Sequence, residues 1–159
     1  MTAAETAGYM TRMSLEERLL LEELYQYCLM ADRGKVFLGW SEESMKTLIA
    51  HRLSKGRVVE HRNKGGELDG LGMWMRVEKD WNPEKLLEWP DDDEDGKEIF
   101  IGAIMADSPF VRRSLILRFL AKEPDALHLP LTALRQRGSS AYPVKVPIPQ
   151  KELATLLKR

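Results

Sequence analysis

The chain has a single cysteine, Cys28, among its 159 residues, so no internal disulfide can staple it and its stability has to come from a packed core. Cys28 lies in an apolar helical pattern, which suits a buried structural thiol rather than a nucleophile. Cysteine and histidine form no cluster with zinc-ligand spacing, and no metal is expected. Long hydrophobic runs are missing as well. Nothing approaches the ~20 apolar residues of a membrane span, and the opening MTAAETAGYMTRMS has neither the basic nor the apolar region of a signal peptide. The expectation is a cytoplasmic protein with no membrane partner. Neither sign of charge dominates, and a net charge of −1 argues against a wholly basic nucleic-acid binder. No internal repeat is present. What remains is a hydrophobic share of 43%, ordinary for one globular domain with a proper core.

The charge that is present is unevenly spread. Glu78 to Glu98 holds ten acids against three lysines, and Arg112 to Arg159 holds ten Lys or Arg against three acids. Such asymmetry fits either an anionic partner for the C-terminal third, nucleic acid included, or two segments that attract each other across the fold. The run DDDEDG, Asp91 to Asp95 before Gly96, resembles the opening of a calcium loop. Such a loop also needs an acid at its twelfth position, here Gly102, and a hydrophobic residue at its eighth, here Glu98. The run therefore reads as a solvated loop within an insertion at 80–97, with Asp91 to Asp95 available to a protein partner or a cationic substrate.

Residues 1–13 show little periodicity and read as a loose arm, leaving 14–159 as one domain. Ser14 with Glu17 is a capping box for a first helix whose apolar face is Leu15, Leu19, Leu20, Leu24, Tyr27 and Cys28, with Gly34 as its stop. Ser41 caps a second helix, Glu42 and Glu43 in its first turn, with Met45, Leu48, Ile49 and Leu53 inward and Lys55-Gly56 at its end. The period then becomes alternating. Arg57 to Arg62 and Leu71 to Glu78 form a hairpin around the turn Asn63 to Asp69. Met73, Met75 and Val77 share one face; Trp74, Arg76 and Glu78 share the other. Trp74 either lines a ligand cleft or covers a helix.

The organising stretch is Lys97 to Glu123. Ile99 to Ala106 is an apolar run suited to a strand covered on both faces, and Gly102-Ala103 in its middle invites a bulge or the close approach of a ligand. Ser108 is an N-cap and Pro109 a first helical residue. The helix reads as Ser114, Arg118 and Lys122 toward solvent and Phe110, Ile116, Leu117, Phe119 and Leu120 toward the core. Arg112 and Arg113 then fall on the apolar side of a first turn, where the dipole disfavours cations. Either they answer a bound phosphate, or they snorkel past the sheet edge into water or pair with the acidic loop. After a turn at Glu123-Pro124-Asp125, Ala126 to Arg135 alternates as a strand that Pro130 forces apart from its neighbour. RQRGSS is a basic turn, Ala141 to Ile148 is extended, and Gln150 to Arg159 is a short helix.

Two helices, a hairpin, a strand with small residues mid-run, a helix beginning at that strand's end and then a separating strand resemble the GCN5-related N-acetyltransferase (GNAT) superfamily over residues 14–136. The fold class implied is α+β: a mixed, mainly antiparallel sheet, helices on both faces and an N-terminal helix pair. The resemblance also implies an acyl-coenzyme A dependent acyltransferase acting on an amine, with Ile104, Met105 and Ala106 lining the pantetheine channel and Arg112 and Arg113 near the pyrophosphate. MADSPFVRRS lacks the glycines of the family's pyrophosphate loop. So do the toxin-activating lysine acyltransferases, and Asp107 falls about where their functional aspartate stands. Asp107 and His61 are the candidate bases, with Glu60 and Glu78 as further options, and Trp74 and Glu78 are candidates for the substrate cleft. The alternative is a non-catalytic GNAT-like module that binds a protein or nucleic acid.

Overall fold

The computed structural model describes residue 8 and residues 10–32, 36–37, 39–79, 81, 94–135 and 144–157. Two helices, α1 (Leu15–Ala31) and α2 (Glu42–Ser54), precede the strands β1 (Val58–Arg62), β2 (Leu68–Val77) and β3 (Glu98–Ala106). Helix α3 (Pro109–Lys122) and a 3-10 turn (Pro124–Leu127) lead to β4 (Leu131–Arg135), β5 (Val144–Ile148) and α4 (Gln150–Leu157). The strands form one sheet in the order β1-β2-β3-β4-β5. Every neighbouring pair is antiparallel except β3 and β4, which the α3 crossover makes parallel. The architecture is α+β, with an N-terminal helix pair and helices on both faces. No helix among the described residues is long and apolar enough to cross a membrane.

Local chemistry sets the helix starts. Ser14 and Glu17 exchange the two bonds of a capping box, and Ser41 accepts the Ser44 amide. Gly56 ends α2 with a φ of 70°, a conformation open to glycine without penalty. The arm expected as far as residue 13 is helical at 10–12, and Met13 is buried. The α1 face also differs from expectation. Leu15 and Leu19 are exposed, while Leu21, Leu24, Tyr25, Tyr27 and Cys28 are buried. Gly34, most of the acidic insertion and the RQRGSS turn beyond Arg135 lie outside the described residues.

Two apolar layers sandwich the sheet. On one face Leu71, Met73, Ala103 and Met105 pack against α1 and α2. On the other, Val59, Trp74, Ile99 and Ile101 pack beneath Val111, Leu115 and Phe119 of α3, with Leu153 of α4. Helix α3 comes down onto the sheet because position 70 has no side chain: a Cβ there would sit 2.5 Å from Val111 Cγ1 and 3.0 Å from Leu115 Cδ1. Gly70→Ala therefore lifts the first turn of α3 and is expected to cost about 1–3 kcal/mol. A melting temperature equal to the parent's would show that the helix has room to spare.

The expected orientation of α3 is corrected. Phe110, assigned to the core, is 73% exposed, and Leu117 is exposed as well. Arg118 and Lys122, assigned to solvent, are exposed as expected and also donate to the carbonyls of Glu60 and Val58. Strand β1 is an edge strand, and these two long cationic side chains occupy its outward carbonyls, which blunts an otherwise open edge. The expected strand over Ala126 to Arg135 is also shorter, beginning at Leu131. Pro124 sets φ for a 3-10 turn, and Pro130 sits just ahead of β4, its carbonyl accepting the Ile99 amide.

Candidate functional site

Strand β3 departs from regularity in two ways, both at its C-terminal half. Met73 pairs with Ala103 and Trp74 with Ile101, so Gly102 is an extra residue, a bulge where the small residues predicted one. On its other side β3 pairs with β4 only over Ile99–Ile101 and Leu131–Ala133. Beyond that point β4 stays with β5 as far as Arg135 and Val144. Among the described residues, a wedge-shaped cleft thus opens along this edge of β3. Ile104, 38% exposed between the buried Ala103 and Met105, lies along it, while Met105 turns to the α1 side and Ala106 is half-buried.

At the open end of the sheet a polar cluster has formed. The Tyr27 hydroxyl, from α1, donates to Asp107 Oδ1 at 3.0 Å. The Asp107 amide donates to the Asp69 carbonyl, and the Asp69 carboxylate lies 2.6 Å from His61 Nδ1. Asp69 can do both because it is the extra residue where the register shifts between His61 and Arg62. Burial, then the neighbouring Asp107 carboxylate, push the Tyr27 hydroxyl far above its ordinary range, so it stays protonated and donates. The His61 ring also meets the exposed Phe110 edge-on at 6.0 Å. With Nδ1 held by Asp69, Nε2 is the His61 atom left to exchange a proton.

The first turn of α3 closes this end. Ser108 caps it, its hydroxyl accepting the Val111 amide, and its carbonyl takes the Arg112 amide. Pro109 has no N–H, so of the first-turn donors the Phe110 amide remains for a ligand. Arg112, assigned to the apolar side, is instead exposed, and Arg113 is half-buried. Neither has an ion-pair partner among the described residues. Asp91 to Asp93 lie outside those residues, and Glu94 is engaged by Lys55.

The structure therefore gathers Asp107, His61, Ala106 and the α3 first turn at one end of the sheet. His61 pairs with Gly70 and Gly70 with Ala106, so His61 is level with Ala106, about 10 Å away across two strands and roughly 13 Å along the strand direction from the bulge. Glu78 is not part of this grouping. It follows Val77, which pairs with Glu98 at the opposite end of the sheet. Trp74 lies beneath α3, its ring 4.9 Å from that of Phe119. Glu60 is engaged by Arg62. Cys28 is buried, and burial, then Asp32, push its thiol up to about 12, which leaves it protonated and inert.

Tyr27 and Asp69 were not singled out from sequence. A tyrosine on the core face of a helix needs a hydrogen-bond partner for its hydroxyl, and that was the available signal for Tyr27. Asp69-Gly70 reads as turn chemistry, which conceals the bulge. Comparison with protein-family models and with curated proteins finds no match to either.

Proposed function

We propose that the protein is an acyl-coenzyme A dependent acyltransferase that moves an acyl group to an amine, on a divergent GNAT-like scaffold without the glycine-rich pyrophosphate loop. The observation that carries the reading is the bulged central strand whose parallel neighbour leaves it halfway, so that among the described residues the edge of Ile104 to Ala106 on that side is unpaired, beside the first turn of a helix. An extended pantetheine arm can pair with that edge as an added strand would. Arg112 and Arg113 supply the charge for the pyrophosphate that the lone Phe110 amide cannot hold by itself. The cleft aligns thioester and amine. Asp107 and His61, two to three residues beyond Ile104 in register, receive the amine's proton through intervening water. We place the activity in the cytoplasm, where coenzyme A thioesters are found, and assign it no metal.

A thermal melt tests this. Acetyl-coenzyme A at 100 times its dissociation constant adds ~2.7 kcal/mol to the folded state, and a domain of this size gains roughly 2–4 °C per kcal/mol. A rise of several degrees is expected, and no shift at millimolar ligand overturns the reading. The alternative, a non-catalytic module for a protein or nucleic acid, is favoured by one observation: the first turn of α3 uses its own amides for capping and offers little to a phosphate.

A further inference from the structure

Four of the eight large apolar side chains exposed among the described residues stand on α1: Leu15 at 72%, Leu19 at 62%, Leu29 at 53% and Met30 at 80%. Single exposed apolar residues are normal, but several along one helix call for a partner. Their placement is regular. Leu15, Leu19, Glu22, Gln26 and Leu29, all exposed, recur at alternate spacings of four and three, the period that keeps one stripe turned toward a second helix. At 3.6 residues per turn this stripe lies opposite the buried Leu21, Leu24 and Cys28. Its two polar members are already paired. Glu22 is 2.6 Å from Lys46 of α2 and accepts from the Gln26 side chain at 3.1 Å. On one flank of the stripe both terminal nitrogens of Arg62 hold the Glu23 carboxylate. An open groove of about 500 Å³ runs there, lined by Glu16, Leu19, Leu20, Glu23 and Arg62.

The pattern is complementary to itself. We infer that α1 docks on α1 of a second copy of this chain, antiparallel about a two-fold axis. The charges choose the register. Setting Leu15 against Leu29 would bring Glu22 onto its own symmetry mate, a like-charge contact. Setting Leu15 against Gln26 would bury the Glu22 carboxylate on Leu19. Leu19 against Leu29 has neither fault: apolar meets apolar twice, and Gln26 faces Glu22 twice, an amide opposite an acid. The two-fold keeps each flank of the helix on its own side. Met30 of the second copy therefore comes level with Arg18 on the flank of Glu16 and Glu23, where the groove receives it, and a flexible methionine suits so irregular a space. The α1–α2 pair and helix α3 cover opposite faces of the sheet. The contact thus leaves α3 clear, and it does not depend on the acyltransferase reading.

One helix face per copy is small beside the ~800 Å² per partner of a stable interface, so the association is reversible. In sedimentation equilibrium from micromolar to millimolar concentration, the average mass of the full chain should rise from 18.3 kDa toward about twice that. The double variant Leu19→Glu, Leu29→Glu should keep the monomer mass throughout and melt as the dilute parent does, because both positions are exposed. Cross-linking reads the register. Leu19→Cys and Leu29→Cys, treated with a short bismaleimide, should join when mixed but not when alone, since each position stands about 15 Å along the helix axis from its own symmetry mate. The parent, whose Cys28 is buried, is the blank. A parent that keeps the monomer mass at every concentration overturns the pairing and leaves the stripe to a different protein. So does a dimer that survives the double glutamate variant. Cross-linking of either cysteine variant alone, or none in the mixture, overturns the antiparallel register, whether or not the glutamate variant folds.

Discussion

Glu123→Ala is expected to destabilise the protein by about 3–5 kcal/mol, the cost of removing one partner from a buried ion pair. The Glu123 carboxylate, 7% exposed, lies 2.8 Å from Arg57 and 3.9 Å from Arg76, both largely buried. Arg76 continues to Asp125 at 3.1 Å and to the Gly96 carbonyl. One carboxylate thus ties the end of α3 to the start of β1, the end of β2 and the loop leading into β3. This is the closed end of the sheet, where β3 and β4 still pair. It lies opposite the end where, among the described residues, β3 and β4 part. Urea denaturation of parent and variant measures the difference. A loss below about 1 kcal/mol would place the network among surface ion pairs. The folded fraction of the variant should bind coenzyme A as the parent does, since the network and the cleft lie at opposite ends of the sheet.

Features that depend on a few neighbouring residues were legible in the sequence. Ser14 with Glu17, Ser108 with Pro109 and the bulge at Gly102 all follow from local chemistry: a hydroxyl beside free amides, a ring that pre-sets φ, a residue without Cβ. The α+β class followed from the order of such pieces. Features that depend on what lies over an element were not legible. Arg118 and Lys122 look like a solvent face at helical spacing, and only the proximity of an edge strand makes its carbonyls their partners. Phe110 looks like core because its helix is amphipathic, yet it stands where that helix overhangs the end of the sheet, against His61. The alternation of Leu127, Leu129 and Leu131 matches a strand, but Pro124 and Pro130 bracket a 3-10 turn that consumes the first half. The polar cluster was half legible. Asp107 is marked by its place at the end of β3, while its tie to Tyr27 and the dyad of His61 with Asp69 arise from a helix 80 residues away and from a bulge that turn-forming residues disguise.

Replacing both Arg112 and Arg113 with alanine should weaken coenzyme A binding by about 1.5–3 kcal/mol for each charge-assisted hydrogen bond removed, tenfold to more than a hundredfold per arginine. The ligand-free protein should keep its stability or gain slightly. Neither guanidinium has an ion-pair partner among the described residues, so no pair among those residues is broken. Both also stand in the first turn of α3, where the helix dipole disfavours cations by roughly 0.3–1 kcal/mol each. Two cations kept in an unfavourable field, beside a cap that has used most of the local amides, make sense if an anion arrives to answer them. The opposite account has Arg113, which is half-buried, packing its aliphatic stem on the helix and sheet end. Its removal would then lower the ligand-free melting temperature and leave binding untouched. Melting curves and titrations of both proteins, each with and without coenzyme A, separate the two. A double variant that is less stable but binds coenzyme A as tightly as the parent would mean that the first turn of α3 holds no phosphate.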